Sequence, residues 1–286
     1  MNYHIDMLPF SISKNHPYKF DKNGVILSKI PYTKEYHYHT TSIASYAIKN
    51  IDNLKIFDPQ IRWLVNNINQ DGAYRQNFTF PYYSNFPKSW IGGLCQGLAI
   101  SALIKAYQKY DKKTYLDTAK KAFNCLNRDI EDEGCIFTDS KGEVWIEEYP
   151  VCPHILNGFI YALFGIYDLY KETKNKDIKN LFDGSVQTIT TNLKNYDMGF
   201  WSLYDLTEKL PATEFYHTVH IEQLNALYKI TGNEILRKYG THWKNSADNS
   251  RYRSKANRIR TILIVKKHGV IDSIKRYYQR RQWLHG

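Results

Sequence analysis

Glu147-Glu148-Tyr149-Pro150-Val151-Cys152-Pro153-His154-Ile155-Leu156-Asn157-Gly158-Phe159-Ile160-Tyr161-Ala162-Leu163-Phe164-Gly165-Ile166-Tyr167-Asp168-Leu169-Tyr170 is the stretch from which the rest of this 286-residue chain can be read. Pro150 and Pro153 exclude helix across the turn. Leu156, Phe159, Ile160, Leu163, Phe164 and Tyr167 then recur at three- and four-residue steps, which predicts a helix with one broad buried face. Two adjacent carboxylates and a phenol therefore stand on a loop at the mouth of a packed helix, where a rigid scaffold commonly carries chemistry. The same letters also suit a helix lead-in whose acids face water.

Outward from this stretch the chain reads as helix after helix. Thr41 to Ile48 starts one, with Thr41 and Ser42 as caps. Others run from Phe57 to about Asn69, from Gly92 to about Tyr110, and from Thr114 to Leu126. After the central helix come Asp177–Leu193, Phe215–Thr231 and Glu234–Trp243. Residues 1–40 read as an extended arm or small hairpin, and Gly199–Leu206 is β-like. Gly72–Trp90 is the main non-helical insertion. It reads either as an aromatic wall for an anionic sugar, with Arg75 and Lys88 among rings including Tyr74, Phe80, Tyr82 and Tyr83, or as a β-hairpin packing on its own rings. Helical hairpins of 40–50 residues joined by short loops predict a mainly α fold, an α/α toroid with a small β-hairpin insertion. In such a ring the turns 148–157 and 199–217 and the insertion converge at one end.

A chain this long, 43% apolar, buries a sizeable core. The net charge of +11 resembles a nucleic-acid signal until it is located. From His242 to Gly286 twelve Lys and Arg stand against Asp248 and Asp272, so the body is close to neutral and no nucleic-acid partner is expected. The organisation is thus an arm (1–40), a toroid (41–243) and a basic amphipathic tail (244–286). Cys95, Cys125, Cys135 and Cys152 have no metal-finger spacing, no charged-then-apolar leader opens the sequence, and no apolar run reaches the roughly 18 residues of a membrane span. The expectation is a reduced, cytoplasmic protein, soluble or peripheral at the inner face of the membrane.

Four segments in order resemble the C-terminal catalytic domain of the D-glucuronyl C5-epimerases. They are Trp90-Ile-Gly-Gly-Leu-Cys-Gln-Gly-Leu-Ala-Ile-Ser101, Glu147-Glu-Tyr-Pro150 with Leu156-Asn-Gly-Phe-Ile-Tyr161, Gly199-Phe-Trp-Ser-Leu-Tyr-Asp-Leu206, and Tyr216-His-Thr-Val-His-Ile-Glu-Gln-Leu224. The resemblance spans about residues 40 to 243. It implies an α/α toroid, a uronic-acid polysaccharide substrate, a cofactor-free acid–base reaction with no metal, and site residues at Glu148, Tyr149, Tyr204 and Tyr216. Animal members carry a cation shortly after the tyrosine matching Tyr204, where this chain has Leu206-Thr207; sulfated-heparan specificity is therefore not implied. The expected substrate is a glucuronate-containing capsule or exopolysaccharide of a bacterial type, heparosan-like.

The residue types suit that chemistry. Removing the C5 proton of a uronate gives a carbanion that must be held as an enediolate. One group must then act as base and another as acid on opposite faces of C5. Burial raises a Glu from roughly 4.3, and nearby cations lower a phenol from about 10, each toward working pH. Glu148 and Tyr216 are expected on opposite faces, with Tyr149 and Tyr204 on the carboxylate or relaying protons. Arg75, Lys88, Gln96, Asn157, His217 and His220 are candidate sugar contacts, although Gln96 and Asn157 equally suit buried amides that satisfy backbone. His217 and His220, three residues apart, lack an obvious third metal ligand.

In the tail, Ile259, Ile262, Ile264, Val265, Val270, Ile271 and Ile274 interleave with cations before Tyr277-Tyr278 and Trp283-Leu284. That composition suits an anionic membrane surface, a glycosyltransferase partner, a nascent polyanionic chain or a solvated terminus. Homodimerisation stays open. The competing functions are a polysaccharide lyase, which shares the C5 proton abstraction, and a non-catalytic carbohydrate-binding scaffold of capsule assembly.

Overall fold

The computed structural model describes residues 18–30, 35–79, 86–151 and 153–285, and in the last stretch the side chains of 272 and 274–285 are not described. Phe80, Tyr82, Tyr83 and Cys152, and the tail rings Tyr277, Tyr278 and Trp283, accordingly lie outside the described residues or side chains, as do residues 1–17 and 31–34 of the arm.

Eight helices form four hairpins: α1 (Thr40–Lys49) with α2 (Leu54–Asn66), α3 (Gly93–Tyr110) with α4 (Lys113–Leu126), α5 (Leu156–Thr173) with α6 (Lys176–Tyr196), and α7 (Glu214–Thr231) with α8 (Glu234–Ala247). Helices α1, α3, α5 and α7 pack in sequence as an inner row, and the fold is an incomplete α/α toroid. A ninth helix, α9 (Ser250–His285), is broken at Gly269 by a non-helical φ of 75°.

Three of the hairpins turn by the same local device. Asp111, Lys174 and Gly232 take the left-handed conformation (φ 51°, 54° and 69°), and each amide donates back into the helix it ends. The next residue is already the N-cap of the partner helix. Asn175 accepts from Asp177 and Ile178 N–H, and Asn233 accepts from Ile235 N–H. Two-residue turns of this kind fold consecutive helices back on each other.

The inner row is packed too tightly for side chains at two positions. A β-carbon on Gly97 of α3 would come 2.5 Å from Ala162 Cα, and one on Gly165 of α5 would come 2.1 Å from Gly97 O. Backbone therefore meets backbone where α3 and α5 cross. Around that contact Leu98, Phe159, Ile160 and Phe164 are fully buried, in line with the spacing of the central stretch.

Several boundaries and strands differ from the sequence expectation. Helix α1 has no side-chain cap of its own; Gln76, from the 72–90 segment, accepts from Thr40 N–H at 3.2 Å and donates to Thr40 Oγ1 at 2.8 Å. Helix α2 begins at Leu54 rather than Phe57, which places Pro59 inside it. The hairpin of the toroid pairs Ile136–Thr138 with Val144–Ile146, whereas the described part of 72–90 has a single bridge, Gln76 to Trp90. Likewise 197–211 contains two bridges, Asp197–Ser202 and Leu203–Pro211, and no strand. The described part of the arm forms a three-stranded antiparallel sheet of Tyr18–Phe20, Ile26–Lys29 and Tyr36–His37.

Candidate active site

Two neighbouring carboxylates open the central loop, and the fold gives them opposite fates. Glu147 spends both oxygens on His154, one on its backbone N–H at 3.0 Å and the other on the ring Nδ1. His154 is left-handed (φ 52°), its ring stacks on Trp145 at 4.2 Å, and its carbonyl accepts from the Tyr196 hydroxyl at 2.7 Å. Residues 147 and 154 are thereby clasped, and the 148–153 loop is closed at its base.

Glu148 faces the other way. It is buried, it accepts a hydrogen bond from Tyr149, and its Oε2 has no partner. Burial, reinforced by the Glu147 charge and opposed by the Tyr149 hydrogen bond, pushes its carboxyl up to about 7. Gly158 makes the space for it, since a β-carbon there would stand 2.1 Å from Glu148 Oε2. Tyr149 packs edge-on to Trp90 (5.3 Å) and Phe86 (5.5 Å), so the insertion supports the loop through its rings.

Tyr204 and Tyr216 form a second pair, their ring centroids 4.8 Å apart. Backbone joins this pair to the first: Leu156 N–H donates to Tyr204 O, and Leu206 N–H donates to Pro153 O, both at 3.2 Å. Gly93 N–H at the start of α3 donates to Glu147 O at 2.7 Å. The four expected residues thus meet around the N-terminal ends of α3, α5 and α7.

The expected sugar contacts divide. Asn157, in the first turn of α5, keeps a buried Oδ1 without a partner, and His220 keeps a buried Nε2 without one. Lys88 is exposed beside Trp90. Gln96, by contrast, has its whole amide spent on backbone: it accepts from Tyr74 N–H at 2.8 Å and donates to Gly72 O and Ala122 O. Arg75 is taken by Asp71 (2.6 Å) and Glu133 (2.8 Å). His217 is stacked on Trp201 at 3.7 Å, bonds Trp243 O through Nε2 at 3.1 Å, and accepts Ser202 N–H at Nδ1. These last three hold the frame instead of facing a ligand.

Ser202 Oγ lies between His217 Nδ1 (2.8 Å) and His220 Nδ1 (2.9 Å). Burial lowers both imidazoles, His217 to about 4 and His220 to about 3, so both are neutral near pH 7. Asp205 is raised by burial to about 6 while its side chain ties the 205–209 turn by accepting from Glu208 N–H.

Sequence reasoning passed over Tyr161 and Gln223. Tyr161 is fully buried with an unpartnered hydroxyl. Gln223 donates to Asn157 O at 2.9 Å and leaves its own buried Oε1 unpartnered. A signal existed, because Asn157 and Tyr161 share one face of α5, and Tyr216, His220 and Gln223 share one face of α7.

Fold and site together define a helical toroid with a cluster of carboxylate, phenol and unpartnered buried polar atoms at one end. The D-glucuronyl C5-epimerase C-terminus model matches residues 68–245, and the chain belongs to that family. An uncharacterized protein of Methanocaldococcus jannaschii is 35% identical over 177 residues, covering 60% of this chain and 57% of that one. The D-glucuronyl C5-epimerase of Caenorhabditis elegans is 29% identical over 204 residues, covering 63% of this chain and 33% of the worm protein. The chain therefore spans between a third and three fifths of these relatives' lengths. Among solved structures, a D-mannose isomerase is similar in fold, with a TM-score of 0.51 and 13% identity over 79% of this chain and 65% of that one.

Proposed function

We propose that this chain converts D-glucuronate to L-iduronate within a polysaccharide by cofactor-free removal and return of the C5 proton. The observation that carries the reading is Glu148: a buried carboxylate with one free oxygen and a value near 7, set beside Tyr149 at the junction with Tyr204 and Tyr216. Such a group exchanges protons at neutral pH in either direction.

In the proposed step Glu148 takes the C5 proton from one face and the C–H electrons pass into the substrate carboxylate as an enediolate. Tyr216 delivers its phenolic proton to the opposite face, and the enediolate collapses with C5 inverted. Glu148 is left protonated and Tyr216 ionised, and Tyr149 and Tyr204 return the proton between them. Hydrogen bonds from Tyr149 and Tyr204 to the substrate carboxylate strengthen as its charge grows, which is where barrier lowering is greatest. Asn157 and His220 supply polar atoms for sugar hydroxyls, and Lys88 supplies a cation at the rim. A membrane or glycosyltransferase partner would be held through the basic tail. Among the described residues no helix is long and apolar enough to cross a membrane.

The direct test is incubation with heparosan, a non-sulfated glucuronan, monitored by magnetic resonance and ultraviolet absorbance together. An iduronate signal without new absorbance is expected. Absorbance from an unsaturated uronate would instead make the chain a lyase, because elimination of the 4-linked sugar leaves a double bond.

A further inference from the structure

Helix α9 does not trail away from the toroid. Arg253 pairs with Glu214 at 3.2 Å, Arg260 donates to Pro211 O at 2.7 Å, and Lys267 bonds Glu208 at 2.5 Å. These three cations are spaced seven residues apart, so they lie in one row along the helix. Their partners all belong to residues 208–214, the segment between Tyr204 and Tyr216 that ends in the first residue of α7. Ala256 is buried on the same side, and Lys255 and Tyr252 close over Phe200, at 4.2 Å and 5.6 Å from its ring.

Arg251, Lys255 and Arg258 fall about half a turn from the anchoring row and Lys266 about a third of a turn, and all four are exposed. They extend over about 22 Å of helix. Ser250, Arg251, Ser254, Lys255 and Arg258 line an open cleft of about 410 Å³. This cleft is separate from the walls around Glu148 and the tyrosines.

We infer that the outer face of α9 is an exosite for the anionic polysaccharide, holding the polymer beside the mouth that α9's inner face braces. The inference rests on the proposed reading of the site as one that works on a uronan. Two features of the helix favour a polyanion over a lipid surface. Between Arg251 and Lys266 the outward row carries cations and hydroxyls with a single strongly exposed apolar side chain, Ile262, and the more exposed Val270 and Ile271 follow only past the break at Gly269. A helix that lies in a membrane interface needs a broad apolar face, and here the side opposite the cations is occupied by the toroid. A carboxylate repeated along a glycan matches a row of cations, and screening by salt weakens that match.

The test uses the full chain and the triple variant Arg251→Gln/Arg258→Gln/Lys266→Gln, which leaves the anchoring row and Lys255 intact. Circular dichroism and the thermal midpoint establish that the variant folds as the wild type does. Binding to immobilised heparosan is expected to weaken about tenfold in the variant, with a shallower salt dependence. In turnover, KM for long heparosan rises by a similar factor while kcat, and KM for an oligosaccharide too short to reach from the Glu148 site to α9, stay unchanged. Equal binding by variant and wild type overturns the exosite, as does a wild type that fails to bind heparosan. Sedimentation of the wild type, but not the variant, with phosphatidylserine vesicles in place of heparosan overturns it in favour of a lipid surface. Binding that depends on α9 without any epimerisation would keep the exosite and reject the proposed reaction, so the two claims fail separately.

Discussion

Gly158 Cα lies against the Glu148 carboxylate so closely that a β-carbon would come 2.1 Å from Oε2 and 2.7 Å from Cβ. The proton-exchanging group of the loop and the first turn of α5 thus occupy one space, and only glycine permits both. Gly158→Ala should displace Glu148 while leaving the helix intact, because alanine is a better helix former. We expect turnover to fall about 10²-fold or more, the scale of losing an oriented acid–base group, with a circular dichroism spectrum like that of the wild type. Undiminished turnover would mean that Glu148 works from elsewhere.

The elevated value of Glu148 sets a pH limb. As the base it must be ionised, so kcat/KM should rise with pH up to about 7 and then level. Glu148→Gln should lack both the limb and most of the rate.

Stability carries the same signature with opposite slope. The folded-state value of Glu148 stands above the ordinary 4.5, so the fold binds an extra proton between the two values. Its contribution is fully present below about 4.5 and is lost as pH rises through about 7. Relative to wild type, Glu148→Gln should gain up to about 3 kcal/mol across that range, read from denaturant midpoints at several pH values.

Glu147 acts as a positioning residue. Glu147→Ala removes the acceptor of two hydrogen bonds from His154 and frees the base of the 148–153 loop. A loss of about 1–3 kcal/mol in denaturant unfolding is expected, together with a lower kcat. Glu147→Gln, which keeps an acceptor for one of them, should recover part of both.

The contact of α3 with α5 is a matter of stability alone. Gly97→Ala would push a methyl to within 2.5 Å of Ala162 Cα, on backbone that has no room to yield. A cost of about 1–3 kcal/mol or more is expected, visible as a lowered thermal midpoint, with turnover per folded molecule unchanged.

The helices were legible because Leu156, Phe159, Ile160 and Leu163 advertise a buried face at helical spacing, and turns such as Gly232-Asn233 carry their own capping chemistry. The four expected site residues were drawn from the family pattern, and the structure sets Glu148 beside Tyr149 and Tyr204 beside Tyr216. What stayed hidden depended on partners distant in sequence. Gln76 caps α1 from 36 residues away, so Thr41 and Ser42 looked like the cap. In the sequence α2 reads from Phe57, although the helix begins three residues earlier and holds Pro59 in its second turn. Glu147 and Glu148 are identical letters, and only the left-handed His154 separates the spent carboxylate from the free one. Gln96, Arg75 and His217 have polar side chains that suit a ligand equally well, and it is their bonds to backbone or acids that commit them to the frame. The 136–146 hairpin was missed although Ile136-Phe137-Thr138 and Val144-Trp145-Ile146 flank a turn around Gly142.

The central claim is that Glu148 and Tyr216 serve opposite faces of C5, and deuterium wash-in from heavy water measures it. Wild-type protein with heparosan should place deuterium at C5 of both epimers. Given a polymer that already contains both epimers, Tyr216→Phe and Glu148→Gln should each stop inversion yet still exchange the C5 hydrogen of one epimer, the two variants choosing opposite epimers. Inversion that persists in Tyr216→Phe, or exchange into the same epimer by both variants, would contradict the assignment.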